Sequence, residues 1–176
     1  MISDFASAAK VGPGLDPETQ FGPVISEEQF GRVTGYIDSG LSDGAEAVVG
    51  GVPENGGAGY FIEPTLFTGA SDEMRIVREE IFGPVLVAQP FEDLDEVARR
   101  ANDNEYGLAA GLWTRDISQA HKLAALLKAG SVYINTWGAG DPAAPFGGYK
   151  ASGIGREKGH HNLDAYLETK SVFTQL

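Results

Sequence analysis

The stretch VLVAQPFEDLDEVARRANDNEYGLAAGLWTRDISQAHKLAALLKAGSVYIN, residues 85–135, decides the expected fold, because three apolar runs alternate in it with two helical patterns. The apolar runs are Val85–Ala88, Ala109–Trp113 and Ser131–Asn135. An aspartate, Asp93 or Asp116, precedes each helical pattern at the position of an N-cap. Strands that alternate with helices are typical of a parallel sheet with crossover helices. We therefore predict an α/β fold with an open, mainly parallel sheet.

The residues before this stretch predict two helices and a surface hairpin. Ser26 and Gln29 have the spacing of a capping box, and apolar side chains then recur at helical intervals. Short apolar runs on either side of a turn-forming Asn-Gly pair are typical of a hairpin. The expected elements are a helix at residues 26–44, strands at 47–49 and near 66–67 around a turn at Asn55-Gly56, and a short helix from Met74 to Ile81.

The residues after the stretch predict a long loop and a final strand. Glycine, proline and alanine are frequent from Gly138 to Gly155, which indicates a loop. A short helix is expected at Asn162–Leu167 and a strand at Lys170–Thr174. A lone terminal strand needs the edge of a sheet to pair with.

Composition excludes several classes of function. The 176 residues contain 13 Lys and Arg against 25 Asp and Glu, a net charge of -12, so nucleic acid and anionic membranes are not expected partners. The sequence contains no cysteine, which excludes disulfides, thiolate zinc sites and a cysteine nucleophile within these residues. No apolar run has the length of a membrane span, and the first residues do not resemble a signal peptide. A cytoplasmic location is therefore expected.

Three local patterns have simpler explanations than a functional site. The glycines of Gly153–Gly159 do not have the spacing of a dinucleotide-binding loop and do not follow a strand, so backbone turns explain them better. His160 and His161 are adjacent and diverge on a helix, so no metal site is expected. Glu79 and Glu80 diverge in the same way, which favours one exposed carboxylate beside one that is committed to a specific contact.

Three longer strings, in this order and at natural spacing, indicate a family. They are EEIFGPV at residues 79–85, NEYGLAAGLWT at 104–114 and PFGGYKASGIGRE at 145–157. Together they resemble the C-terminal part of the catalytic domain of the aldehyde dehydrogenase superfamily. The resemblance extends from about Val11 to Phe173, and it includes DPETQFGP at 16–23 and ETKSV at 168–172.

The resemblance implies a role in cofactor binding for two residues of the first string. In the family, the second glutamate accepts hydrogen bonds from the nicotinamide ribose and the phenylalanine packs beside the nicotinamide. These residues are Glu80 and Phe82 here. A carboxylate is a good acceptor for paired hydroxyl groups, which suits this role. The intact family enzyme uses NAD or NADP, and this chain alone is not expected to bind either of them tightly.

The resemblance also implies that the loop from Asn135 to Gly148 forms a wall of the substrate tunnel. Phe146 stands where an aromatic ring lines the pocket for the aldehyde. Gly138 and Gly140 stand where many members of the family have bulkier residues. Two interpretations remain open for these glycines: a wider pocket mouth, or a backbone conformation that requires glycine.

The resemblance implies a domain organisation and a missing catalytic centre. Residues 1–167 correspond to the C-terminal lobe of the catalytic domain, and residues 168–176 to a terminal strand for subunit association. Family chemistry uses a cysteine thiolate, a general base and an oxyanion-holding asparagine, all of which would lie upstream of Met1. The chain contains no predicted catalytic residue and is expected to be inactive alone.

Three functional hypotheses follow from this organisation. The chain is an incomplete NAD(P)-dependent aldehyde dehydrogenase, or one half of a split dehydrogenase, or a non-catalytic association module. The expected partners are an aldehyde in the intact enzyme and either further copies of the chain or an N-terminal dehydrogenase half.

Overall fold

A computed structural model describes residues 1–53 and 59–176. The predicted turn at Asn55-Gly56 lies outside the described residues. The chain divides into two compact units, Met1–Pro90 and Phe91–Leu176. None of the described helices is both long enough and apolar enough to cross a membrane.

The first unit contains a three-stranded sheet with the strand order β1-β2-β3. Strands β1 and β2 are antiparallel, as expected for a hairpin, whereas β2 and β3 are parallel. The elements in chain order are α1 (Ile2–Ala8), α2 (Glu27–Ser42), β1 (Glu46–Val49), β2 (Thr65–Thr68), α3 (Arg75–Arg78) and β3 (Val85–Val87).

Helix α2 forms where the capping box predicts it and supplies much of the core of this unit. The Ser26 hydroxyl accepts a hydrogen bond from the amide of Gln29 at 3.2 Å, which satisfies one of the free N–H groups of the first turn. Val33 and Ile37 are completely buried, and so is Phe67 of β2. A Cβ atom at Gly40 would lie 2.9 Å from Ile76 Cδ1, so glycine lets α2 approach the neighbouring helix closely.

The second unit contains a two-stranded parallel sheet. Its elements are α4 (Leu94–Asn102), β4 (Ala109–Leu112), α5 (Ile117–Leu126) and β5 (Ser131–Ile134), followed by 3-10 helices at Lys150–Ser152 and His160–Tyr166. Both predicted N-caps are confirmed: Asp93 accepts from the amide of Glu96 at 2.8 Å, and Asp116 accepts from the amide of Ser118 at 2.9 Å. The helix α5 connects β4 to β5 as the predicted parallel crossover.

The structure corrects the expectation of one open sheet. The strands of the described residues form two sheets, with β3 paired to β2 and β4 paired to β5. A local strand-helix-strand pattern predicts each strand but does not specify its partner, which depends on long-range pairing. β3 lies at the edge of its sheet, and its Leu86 is 50% exposed.

Two further elements differ from expectation. The helix predicted from Met74 to Ile81 is shorter and ends at Arg78, because Glu79 has extended dihedral angles of φ -108° and ψ 149°. Residues 167–176 have no regular secondary structure, so the strand predicted at Lys170–Thr174 is not formed within this chain. The strand was predicted from its sequence pattern, and its role in association with another subunit stays a prediction, as does the boundary at residue 168.

Candidate functional site

One face of helix α2 holds the segment Glu79–Gly83 of the first unit. Gln29 Nε2 donates to the carbonyl oxygen of Phe82 at 2.8 Å, and Arg32 Nη2 donates to that of Glu80 at 3.4 Å. The Tyr36 hydroxyl donates to Glu79 Oε2 at 2.7 Å. Positions 29, 32 and 36 are three and four residues apart and therefore lie on the same side of a helix.

Packing completes the attachment of this segment. Ile81 is buried, with 8% of its surface exposed. A Cβ atom at Gly83 would lie 2.6 Å from two methyl carbons of the buried Val33, so only glycine fits at this close approach. The segment is therefore bound to α2 by hydrogen bonds at its exposed side and by apolar contact beneath.

The Glu79 carboxylate is committed to a charged network. Arg75 donates from Nε to Oε1 and from Nη2 to Oε2, both at 3.1 Å, in the fork geometry that suits a carboxylate. The guanidinium of Arg75 also lies over the Tyr36 ring, 4.8 Å from its centroid. Hydrogen bonds from Arg75, and then from Tyr36, hold the pKa of Glu79 below its usual value, and the same carboxylate raises the pKa of Arg75.

The neighbouring Glu80 differs from Glu79 in its contacts. Its side chain is exposed and makes no hydrogen bond or ion pair with the residues that the structure describes. Because the backbone at Glu79 is extended, the Glu80 side chain points in a different direction from that of Glu79. This agrees with the expectation of one committed and one exposed carboxylate, while the role of Glu80 in binding a cofactor stays a prediction.

Phe82 combines exposure with backbone strain. Its φ angle is 56°, in the left-handed region that bulky residues rarely adopt, and its side chain is 67% exposed. An exposed ring gains little from burial, so packing within this unit does not account for the strained conformation. Strain of this kind of about 1–3 kcal/mol persists where the surroundings enforce it, and here Gln29 binds the carbonyl of the strained residue.

Glu80 and Phe82 line the same open groove, of about 500 Å³. Leu86 and Gln89 also line it. A free carboxylate beside an exposed aromatic ring offers a hydrogen-bond acceptor and a flat apolar surface. These are the groups that fit a sugar diol joined to an aromatic base, so the residues present fit the nicotinamide end of a dinucleotide.

In the second unit, the ends of β4 and β5 are joined by a side chain. Asn135, with φ 55°, accepts from the amide of Thr114 at 2.9 Å and donates to its carbonyl at 2.8 Å. This amide group extends the strand pairing by one residue and starts the loop that contains Gly138 and Gly140. In α/β proteins, loops at the carboxyl ends of parallel strands are the usual place for ligands.

The two glycines of this loop have different explanations. Gly138 has a φ of 69°, which requires glycine or strain, so the backbone interpretation applies there. Gly140 has no positive φ, and a Cβ atom there would meet nothing within 4 Å. The backbone therefore does not require glycine at position 140, and a wider pocket mouth stays a prediction for that residue.

Phe146 is held in place by a short antiparallel bridge. Its amide donates to the carbonyl of Glu157 at 2.8 Å, and the amide of Glu157 donates back at 2.7 Å. Lys158 Nζ lies over its ring, 5.7 Å from the centroid. Arg156 donates to the carbonyls of Gly148 and Gly155 at 2.9 and 2.7 Å, which closes the loop around the bridge.

The simpler explanation of the glycines at 153–159 agrees with the structure. Gly153, Gly155 and Gly159 all have positive φ angles, as backbone turns require. Within residues 1–53 and 59–176, no group of three or more His, Asp or Glu side chains could hold a metal ion.

Sequence reasoning missed the residues that support Glu80 and Phe82. Gln29, Arg32 and Tyr36 appear as ordinary positions of an amphipathic helix, and Arg75 as a surface charge. The spacing of the three α2 residues shows that they share one face of the helix, but the segment that this face binds is about 50 residues away in the chain. It also missed Trp113 and Trp137, which are 64% and 63% exposed and flank Gly111 so closely that a Cβ atom there would lie within 3.1 Å of both rings.

Comparison with known proteins gives a consistent result. A model of the aldehyde dehydrogenase family matches residues 1–172. The betaine aldehyde dehydrogenase of Mesorhizobium japonicum is 50% identical over 169 residues, which cover 94% of this chain and 35% of that protein. The mitochondrial aldehyde dehydrogenase of Leishmania tarentolae is 48% identical over 167 residues, covering 95% of this chain and 33% of that protein.

A solved structure has the same fold. The NAD+ complex of an aldehyde dehydrogenase from Bacillus cereus superposes with a TM-score of 0.92 at 48% identity, covering 99% of this chain and 35% of that chain. The chain therefore spans about a third of the length of the relatives that it matches.

The strain at Phe82 predicts an unusual order of stability for two variants. At a positive φ, alanine costs about 1–2 kcal/mol more than glycine, whereas the greater flexibility of unfolded glycine costs about 0.5–1 kcal/mol. In urea unfolding, the free energy of unfolding of Phe82→Gly should therefore equal that of Phe82→Ala or exceed it by up to about 1.5 kcal/mol. Phe91, 54% exposed and without a positive φ, is the control, where the glycine variant should be the less stable. The same order at both positions would contradict strain at Phe82.

The network at Glu79 predicts a pH-dependent stability. Because its pKa is lower in the folded chain than the unperturbed value of 4.5, its contribution is complete above that value and is lost as the pH falls through the folded pKa. The difference in unfolding free energy between the wild type and Glu79→Gln should shrink as the pH falls from about 6 to about 3. Glu80→Gln, which removes the adjacent unpartnered carboxylate, is the control. A difference for Glu79→Gln that stays constant across this range would show that the network does not stabilise the fold.

Proposed function

Because the chain belongs to the aldehyde dehydrogenase family, we propose that it is the C-terminal portion of the catalytic domain of an NAD(P)-dependent aldehyde dehydrogenase, an enzyme that converts an aldehyde to a carboxylic acid. The single observation that supports this proposal best is the segment Glu80–Phe82, where a free carboxylate and a strained, exposed ring line one groove. A solved relative of the same fold contains NAD+.

In this proposal, Glu80 and Phe82 hold the nicotinamide end of the cofactor. The Glu80 carboxylate accepts hydrogen bonds from the ribose hydroxyls, since both of its oxygens are free among the described residues. The Phe82 ring packs beside the nicotinamide and limits where it lies. The dinucleotide, when bound, supplies the oxidant for the aldehyde. Gln29 and Arg32 maintain the backbone that carries both side chains.

The loop after β5 would contribute to the aldehyde pocket. Phe146 is anchored by its bridge to Glu157 and would supply an aromatic wall. Gly138 and Gly140 are exposed on the same loop and would leave room at the mouth of the pocket. The identity of the aldehyde depends on the remaining wall of that pocket, which these residues do not form.

The nucleophile of the family reaction must come from other residues. The 176 residues contain no cysteine, so no thiolate within them can form the covalent intermediate. The exposed indoles of Trp113 and Trp137 favour a second candidate, in which this chain is one half of a split dehydrogenase and another polypeptide covers these rings. A non-catalytic association module is favoured only by the exposed Val172 and Phe173 near the end of the chain.

Activity of the isolated chain provides a direct test. With NAD+ or NADP+ and an aldehyde, the purified chain should produce no reduced cofactor, because covalent catalysis is absent. An intact family enzyme in the same assay is the positive control. Reduced cofactor formed in proportion to the amount of chain would contradict the proposed division of roles.

Binding of nicotinamide mononucleotide tests the role of Glu80. We expect weak binding, with a dissociation constant of about 1 mM, measured by the NMR shift changes of residues 79–89. Glu80→Gln should weaken it about tenfold, because a charged acceptor is lost, and Phe82→Ala should weaken it as well. Glu63→Gln, which removes an exposed carboxylate outside the groove, is the control. Equal affinity for the wild type and Glu80→Gln, or micromolar binding of NAD by the chain, would overturn the proposal.

A further inference from the structure

The Glu80 side chain makes no contact among the described residues that would fix its direction, although a residue that binds a cofactor needs a defined direction. Its neighbour Glu79 has three such bonds: two from Arg75 at 3.1 Å and one from Tyr36 at 2.7 Å. Tyr36 is 6% exposed and lies in the core of the unit, so it provides a rigid anchor. The orientation of Glu80 can therefore be set through the backbone of residue 79.

We propose that Arg75, Glu79 and Tyr36 act as a positioning clamp that directs the Glu80 carboxylate into the groove and thereby sets the affinity for the nicotinamide ribose. Glu79 lines the groove as well, but in this arrangement the three side chains act through Glu80 and not through the ligand. This inference rests on the proposed function of Glu80, because a positioning residue acts through the group that binds.

The geometry explains how the clamp acts on one residue and not on the whole unit. Glu79 is the first residue after α3, and its extended conformation ends that helix. With the Glu79 side chain tied to α2 and α3, the extended backbone at residue 79 sets the direction of the next side chain, Glu80, which lines the groove. Arg32 then fixes the carbonyl of Glu80, so restraints on two consecutive residues determine the direction of the carboxylate.

The network restrains the orientation of the Glu79 carboxylate more than it stabilises the fold. The Arg75 and Glu79 side chains are 56% and 43% exposed, and an exposed ion pair contributes little to folding. The two hydrogen bonds from Arg75 and the third from the buried Tyr36 hydroxyl nevertheless allow the Glu79 carboxylate only one orientation. Loss of the clamp should therefore change local order much more than global stability.

The first arm of the test measures local order without any ligand. Nitrogen-15 relaxation should give order parameters of about 0.85 for the amides of residues 80–82 in the wild type and below about 0.6 in Glu79→Ala. Tyr36→Phe, which removes one hydroxyl and keeps the ring, should give intermediate values. One control is Glu73→Ala, which lies in the same connection between β2 and β3 as Glu79. The other is Tyr60→Phe, whose hydroxyl makes no hydrogen bond among the described residues. Unchanged order parameters in Glu79→Ala would overturn the clamp.

The second arm measures affinity for nicotinamide mononucleotide by NMR titration. Glu79→Ala should weaken binding about fivefold to tenfold, the loss expected when one charged hydrogen bond is no longer aligned. In a Glu80→Gln background the same change should have no further effect, because the clamp acts only through Glu80. Additive effects would refute a positioning role and would assign Glu79 a separate contribution.

The two arms distinguish the failure of each proposal. If Glu80→Gln binds the nucleotide as well as the wild type does, the proposed function of Glu80 is wrong, while the order parameters still report on the clamp. If the order of residues 80–82 falls but the affinity of Glu79→Ala is unchanged, the clamp exists without setting affinity, and the inference is overturned.

Discussion

The candidate cofactor site depends on one attachment, that of the segment Glu79–Gly83 to a single face of α2. Side chains of Gln29, Arg32 and Tyr36 bind this segment, and Val33 packs against Gly83 beneath it. The helix itself is fixed by the buried Val33 and Ile37, which lie in the hydrophobic core of the unit. Core packing thus determines the position of a backbone segment whose functional side chains are exposed.

This arrangement separates the residues that hold the site from those that are available to bind. All four of these residues line the groove, but Glu79 is bound by Tyr36 and Ile81 is buried, whereas the Glu80 and Phe82 side chains are exposed and unbound among the described residues. The unfavourable φ of Phe82 can be maintained because its carbonyl is bound by Gln29 and its neighbours on both sides are attached. A bulky residue in this conformation would relax if the segment were free, so the strain at Phe82 depends on the attachment of the segment to α2.

The second unit uses the same principle with different chemistry. Hydrogen bonds to backbone atoms, and not a helix face, position its loop: the Asn135 side chain extends the pairing of β4 and β5, and the backbone of Phe146 pairs with that of Glu157. Arg156 ties the two sides of this loop by donating to backbone carbonyls on each. In both units, long polar side chains of one segment satisfy the carbonyls of another, which gives irregular backbone a defined shape without burying it.

The local elements and the family could be predicted from the sequence, because their signals lie within a few residues of one another. Ser26, Asp93 and Asp116 cap the helices that their spacing predicts, and three short strings were sufficient to identify the family. Strand pairing could not be predicted in this way: the structure has two sheets where one was predicted, and the predicted terminal strand has no partner among the described residues. The tertiary structure also decided that α2 supports the segment around Glu80, since the partners lie about 50 residues apart in the chain. Strand pairing and side-chain contacts at such distances depend on the packed core, whereas capping and periodicity depend only on the neighbouring residues.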